Sequence, residues 1–320
     1  MTTFSGATDS ENEVNLLISL KSATTSRRVP PRLTPTANSE RQGVACDYCH
    51  RIAQIEIDGD RVHITHVNTD TGQAAIKYGP FSDANSPFHA TARLDQMETS
   101  LICAACHQYM LPNGVTVDNT YRQWSSGPFN GEPLVPCQGC HMASRPGRAS
   151  NHPNSPMRKA IHSHAFRGGD SQSQFSRALK IELVQMDDHV VEAVAINSGT
   201  GHNVPGSRHG FRRLELTISA TDLAGRNVFE RSMVYSLSFV DNLGNPTIRF
   251  WNAVAVAKDS SIPPGGAGRE RFEVPNNSVA VRVFLLYRRM PDEIVENLGW
   301  AGQEQYQPAV VASAELRVTR

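Results

Sequence analysis

Alternation of apolar and polar residues dominates the C-terminal half of the chain. Leu214, Leu216, Ile218 and Ala220 alternate with Glu215, Thr217 and Ser219, and Val310, Ala312, Ala314, Leu316 and Val318 repeat the pattern. A period of two turns one face of a segment to a core and the other to water, so both segments read as half-buried strands. Further strands are predicted over residues 179–186, 190–197, 228–240, 249–257, 270–274 and 279–287, divided by Gly, Pro, Asp and Asn turns. Short strands in succession, with no helix between them, predict a β-sandwich over residues 173–320.

Toward the N-terminus this regularity fades. Residues 41–172 are short segments separated by turn signals such as Tyr78-Gly79-Pro80 and Pro112-Asn113-Gly114. Residues 1–40 are rich in Ser and Thr, then punctuated by Pro30, Pro31 and Pro35, and show little periodicity. They read as an extended arm, ordered chiefly through contacts with the chain's own surface or another subunit.

A length of 320 residues favours two domains over one. Hydrophobic residues make up 39% of the chain and aromatics 7%, which is lean for cores of this size and calls for apolar surface from elsewhere. Lys and Arg number 31, as do Asp and Glu, so no bulk charge points to nucleic acid or a membrane surface.

Chemistry enters with the cysteines. All 6 lie in one repeated pattern: Cys46-Asp47-Tyr48-Cys49-His50, Cys103-Ala104-Ala105-Cys106-His107 and Cys137-Gln138-Gly139-Cys140-His141. Cys-x-x-Cys-His is the attachment signature of haem c: two thiols reach the two vinyl groups of a porphyrin, and the adjacent imidazole ligates the iron. A zinc ribbon pairs its Cys-x-x-Cys units, and three units leave one over. A thioredoxin-like redox pair does not call for histidine after the second cysteine each time. The pattern therefore predicts three covalently bound haem c groups, attached at Cys46, Cys49, Cys103, Cys106, Cys137 and Cys140, with His50, His107 and His141 on the irons.

Covalent haem attachment takes place outside the cytoplasm, so an extracytoplasmic location, periplasmic or at the cell surface, is expected. No signal peptide is legible in this numbering: residues 1–10 carry no basic segment followed by an apolar run. The apolar stretch over residues 14–20 is interrupted by Asn15 and Ser19, which suits neither a leader nor a transmembrane segment.

Each iron needs a sixth ligand, and 9 of the 12 histidines remain to supply it: His63, His66, His89, His152, His162, His164, His189, His202 and His209. His63 and His66 fall in a strand-like stretch, and His189 follows two aspartates in a turn. His152 and His162 gain from proximity to the third motif. His209, beside Arg208, Arg212 and Arg213, reads as surface. Met97, Met110, Met142 and Met157 keep a His/Met site open, Met142 being disfavoured because it adjoins the proximal side of its own haem.

Several segments are more specific than the haem motifs alone: Tyr78-Gly79-Pro80-Phe81, Ser86-Pro87-Phe88-His89, Thr120-Tyr121-Arg122-Gln123-Trp124, Pro136 through Met142, His162-Ser163-His164-Ala165-Phe166-Arg167-Gly168-Gly169, and Asn197 through Pro205. On these segments, residues 42–320 resemble the multihaem c-type cytochromes in which a haem-bearing domain precedes an immunoglobulin-like β-domain. The resemblance implies that His89, His164 and His202 are the distal ligands, completing bis-histidine sites. Gly199 and Gly201 permit close approach to a flat ring, and Pro205 stiffens the loop carrying His202. The chain has three haem motifs where larger relatives have four or more.

The expected architecture is thus mixed α+β: an extended arm (1–40), an irregular haem-stacking domain with few short helices (41–172), and an all-β immunoglobulin-like sandwich (173–320). The expected function is single-electron transfer between redox protein partners. Two alternatives stand beside it. One is a multihaem reductase or oxidase acting on a small nitrogen or sulfur compound at an open haem. The other is a wiring subunit of a larger redox complex or cytochrome filament.

Overall fold

The computed structural model describes residues 45–67, 76–169, 171–206 and 208–319. The arm expected over residues 1–40 lies outside them. The chain is mostly β, in several small sheets, and divides into two compact units at Tyr109/Met110.

In the first unit a helical turn, Cys46–His50, leads into the antiparallel hairpin of β1 (Ile52–Asp58) and β2 (Arg61–His66). Gly59, at φ 59, makes the turn, a left-handed position that glycine adopts at little cost. A register shift between Ile52 and Gln54 interrupts the alternation of β1, so that Ile52 and Ile55 both turn inward and pack with Ala105 of the helix Leu101–His107 and with Val62, Ile64, Leu101 and Ile102. The Gln96 amide joins this core as a surrogate strand, donating to Ile55 O at 2.9 Å and accepting from Ile55 N at 2.9 Å. β3 (Ile76–Gly79) and β4 (Ala90–Arg93) pair in parallel, and Tyr109, the first residue of β5 (Tyr109–Met110), ends the unit.

In the second unit β6 (Thr116–Asp118) and the helices Thr120–Ser125 and Cys137–His141 precede the hairpin of β7 (Ser144–Arg148) and β8 (Met157–His162). The helix Gln172–Ala178 opens a strand-rich stretch: β9 (Leu179–Asp187), β10 (Val190–Asn197), β11 (Arg213–Thr221), β12 (Asn227–Tyr235), β13 (Leu237–Val240), β14 (Pro246–Thr247), β15 (Ala255–Asp259), β16 (Ala267–Glu273), β17 (Ala280–Arg288) and β18 (Ala309–Arg317). They form a three-stranded sheet ordered β16-β10-β9, a four-stranded sheet ordered β12-β11-β17-β18, and a third ordered β14-β13-β15. The first two share one core. Val191, Ala193 and Ala195 of β10 meet Leu214, Leu216 and Ile218 of β11 and Val281, Val283 and Leu285 of β17. Each such Val, Leu or Ile gains about 1.5–3 kcal/mol from burial.

This architecture corrects the expected one. The region read as an irregular haem-stacking domain contains paired strands, including the β1/β2 and β7/β8 hairpins. The Gly59-Asp60 turn between two strand-like runs is itself a hairpin signal, outweighed in the sequence by the more conspicuous haem motifs. The C-terminal region is not an all-β immunoglobulin-like sandwich: it carries a third sheet and the helix Asp292–Asn297, which Pro291 starts and Asp292 and Glu293 favour in its first turn. The strand predicted over 249–257 instead begins with a 3-10 turn, Phe250–Asn252, because tucking Phe250 into the interior outweighs extended pairing.

Candidate functional site

Each Cys-x-x-Cys-His motif folds as a helical segment that ends on its histidine: Cys46–His50, Leu101–His107 and Cys137–His141. Residues three and four apart on a helix share a face, so each turn presents two thiols and an imidazole together. None of the six thiols is in a disulfide. Burial raises the Cys49 thiol's pKa, and neighbouring Cys46 adds to the shift.

The histidines that end the first and third motifs are oriented by backbone carbonyls. His50 Nδ1–H donates to Tyr78 O at 2.7 Å. His141 Nδ1–H donates to Arg167 O at 2.6 Å, and Arg167 N–H returns a bond to His141 O at 3.0 Å. This reciprocal pair pins the loop following β8 against the third motif. Phe166 sits at φ 45 just before the clamp, a costly conformation for a bulky residue and one that a functional loop typically retains.

His202 is positioned by the loop after β10. A Cβ on Gly201 would lie 2.8 Å from Phe129 Cδ2 and 3.0 Å from Trp124 Cδ1, so glycine alone admits this close packing. Trp124 is itself fixed by its indole N–H donating to Val135 O at 3.0 Å. His202 Nδ1–H donates to Asn203 O at 2.8 Å. The imidazoles of His141 and His202 lie with ring centroids 6.2 Å apart and planes inclined by 20°.

That separation tests the fit of a metal between them. An imidazole nitrogen lies about 2.0–2.1 Å from a bound metal ion, so two imidazoles on opposite sides of one metal hold their centres about 6 Å apart. Nδ1 of both rings is committed to a carbonyl, the outer bond that fixes ring orientation and raises the basicity of a ligating histidine. Among the described residues no group of three or more His, Cys, Asp or Glu gathers as a metal cluster. A two-imidazole donor set beside paired thiols suits an iron whose equatorial ligands come from a porphyrin.

The other histidines divide by their partners. His89 donates through Nδ1 to Ala90 O at 3.0 Å, and His164 is exposed with its ring edge-on to Phe166 at 6.0 Å. His162 has the ligand-like anchor, Nδ1–H to Met142 O at 2.7 Å. His66 Nε2 bonds Tyr48 O at 3.1 Å; burial lowers its pKa, and it helps to close the first unit. His209 departs from the expected surface position. Its φ of 62 and the following Gly210 at 72 turn the ring onto Phe250 at 4.3 Å. The carbonyl anchors were invisible to side-chain reasoning, although Tyr78 and Arg167 fall within the segments singled out above.

No family model and no curated protein matches the chain. Among solved structures it resembles the penta-heme cytochrome c552 from Thermochromatium tepidum, with a TM-score of 0.66 and 19% identity over 88% of this chain and 78% of that one. At that identity the likeness is one of fold. A second structure, Northeast Structural Genomics Consortium target SoR45, aligns at a TM-score of 0.18 and 12% identity over 43% of this chain and 81% of that one, too weak a likeness to inform the fold. Among the described residues no helix is long and apolar enough to cross a membrane.

Proposed function

We propose that this chain is a trihaem c-type cytochrome that passes single electrons between redox protein partners outside the cytoplasm. The observation that carries the reading is the approach of His141, the last residue of a Cys-x-x-Cys-His turn, to within 6.2 Å of His202 in near-parallel orientation. The fold likeness to a penta-heme cytochrome supports it.

Bound haem c would supply a one-electron iron couple whose potential is set by axial ligands, burial and outer hydrogen bonds. The chain's residues do the rest. Cys46, Cys49, Cys103, Cys106, Cys137 and Cys140 would hold the haems covalently, as three attachment sites in residues 41–172. His50, His107 and His141, with His89, His164 and His202 as their partners, would hold the irons. The carbonyls of Tyr78 and Arg167 keep two proximal imidazoles in the Nδ1–H tautomer, which directs Nε2 to the metal. His202 brings the strand-rich region 173–320 into the third site.

The test is optical and electron-paramagnetic-resonance spectroscopy of the oxidised holoprotein and of His202→Ala. The wild type should be wholly low-spin and should turn over neither nitrite, hydroxylamine nor a sulfur oxyanion. The variant should convert one haem per chain to a high-spin, ligand-accepting form. Unchanged spectra would remove His202 from the site and transfer the role to His162 or His152.

A further inference from the structure

Asn197, the last residue of β10, is completely buried. A buried primary amide is costly unless both N–H donors and the oxygen find partners. Here all do. Nδ2 donates to His202 O at 3.0 Å and to Ile262 O at 2.9 Å. Oδ1 accepts from Thr200 N at 3.3 Å and from the Thr200 hydroxyl at 2.7 Å. The Asn197 backbone is tied as well, its N–H to Gly266 O at 3.0 Å and its O to Gly265 N–H at 2.8 Å.

These bonds converge on one short loop. Asn197 holds its start, and an isolated bridge holds its end, with Val204 N–H donating to Ile262 O at 2.9 Å and Ile262 N–H to Val204 O at 2.8 Å. Ile262 O therefore serves both Asn197 and Val204. Asn203 adds a lateral tie, its N–H to Gln123 Oε1 at 3.1 Å and its Nδ2 to Ser261 Oγ at 2.9 Å. His202 lies between these ties, and the bond from Asn197 is made to its own peptide carbonyl.

We infer that Asn197 is the positioning residue for the sixth ligand of the third haem: it fixes the peptide of His202 to the sheet so that the imidazole meets the iron opposite His141. The inference rests on the ligand reading of His202. Asparagine suits the position because it combines two donors with one acceptor at this reach. Aspartate keeps the acceptor and loses both donors, and alanine loses everything.

The experiment compares Asn197→Ala, Asn197→Asp, His202→Ala and the core variant Val283→Ala as holoproteins, reading spin state, carbon monoxide binding to the reduced form and the potential of each haem. Losing outer-shell bonds of this kind weakens a metal–ligand bond on the order of 10- to 100-fold. Both Asn197 variants should therefore show one haem per chain with a high-spin fraction, new carbon monoxide binding and a shifted potential. Val283→Ala should lower thermal stability and leave all haems low-spin. A third variant, Asn197→Ser, keeps one hydroxyl donor and acceptor without a buried charge and keeps the test in force where Asn197→Ala or Asn197→Asp fails to fold. A haem change in His202→Ala with none in the foldable Asn197 variants overturns this inference alone. No change in His202→Ala overturns the ligand reading and this inference with it. Equal haem changes in Val283→Ala reduce Asn197 to a general stability role.

Discussion

Replacing Gly199 with alanine tests whether the His202 loop is seated by direct contact between backbones. Ser198 N–H and Gly199 N–H both donate to Ala178 O, at 3.0 and 3.2 Å, which lays the loop against the end of the helix Gln172–Ala178. A methyl group on Gly199 would run into the carbonyl oxygen of Arg177 and sit 2.9 Å from its carbonyl carbon. Neither atom belongs to a side chain that can rotate away, so the loop must shift. Overpacking of this kind costs about 1–3 kcal/mol, and a backbone clash belongs at the upper end. For a unit of this size, about 3 kcal/mol corresponds to a fall in Tm of about 6–12 °C. Gly225 is the control, because its φ is 75 and a methyl group there would meet nothing within 4 Å. Alanine at that position incurs only the backbone penalty, about 1–2 kcal/mol. Thermal unfolding of both holoproteins by circular dichroism, with the haem spectrum recorded in parallel, gives the comparison. A Gly199→Ala protein as stable as Gly225→Ala, with all haems low-spin, refutes the reasoning.

Leu216→Ala in the shared core should lower stability by about 2–5 kcal/mol in denaturant titration, whereas Leu223→Ala, at a residue 92% exposed, should stay within about 0.5 kcal/mol. The Asp222 carboxylate, which accepts from the Arg226 guanidinium at 2.7 Å and from Ala224 N and Arg226 N, has its pKa lowered chiefly by Arg226. A depressed folded pKa stabilises above the unfolded value of about 3.9 and loses that stability as pH falls through the folded one. Protection factors for amide exchange in the β11/β12 hairpin, corrected for the intrinsic rate, should therefore fall below about pH 4, and Asp222→Asn should flatten that dependence. Intact mass should exceed the polypeptide by three haems, and replacing Cys137 and Cys140 together by alanine should remove the mass of one. Titratable thiols in the wild type would contradict covalent attachment.

Two kinds of information were legible in the amino-acid order. Period-two alternation marks β11, and β18 from Ala312 onward, since a strand with one buried face must alternate whatever it packs against, while a register shift leaves Val310 exposed and buries Val311 instead. The Cys-x-x-Cys-His motifs are equally local: a single helical turn brings their reactive atoms together. The break at Phe250 and the inward turn of His209 were not legible, because burial of one side chain or two left-handed residues overrides the neighbouring pattern.

The approach of His141 to His202 was decided only by tertiary structure. The resemblance implies His202 as a ligand, but nothing local to either residue says which motif it meets. That depends on how the loop after β10 packs against the helix Thr120–Ser125 and on glycines whose lack of a side chain matters only once a neighbour is present. The carbonyls that orient the rings belong to Tyr78, Arg167 and Asn203, and a backbone oxygen is the same atom in every residue. Sequence specifies side-chain chemistry and local period, whereas the direction in which a peptide group points is set by the packing of the whole unit.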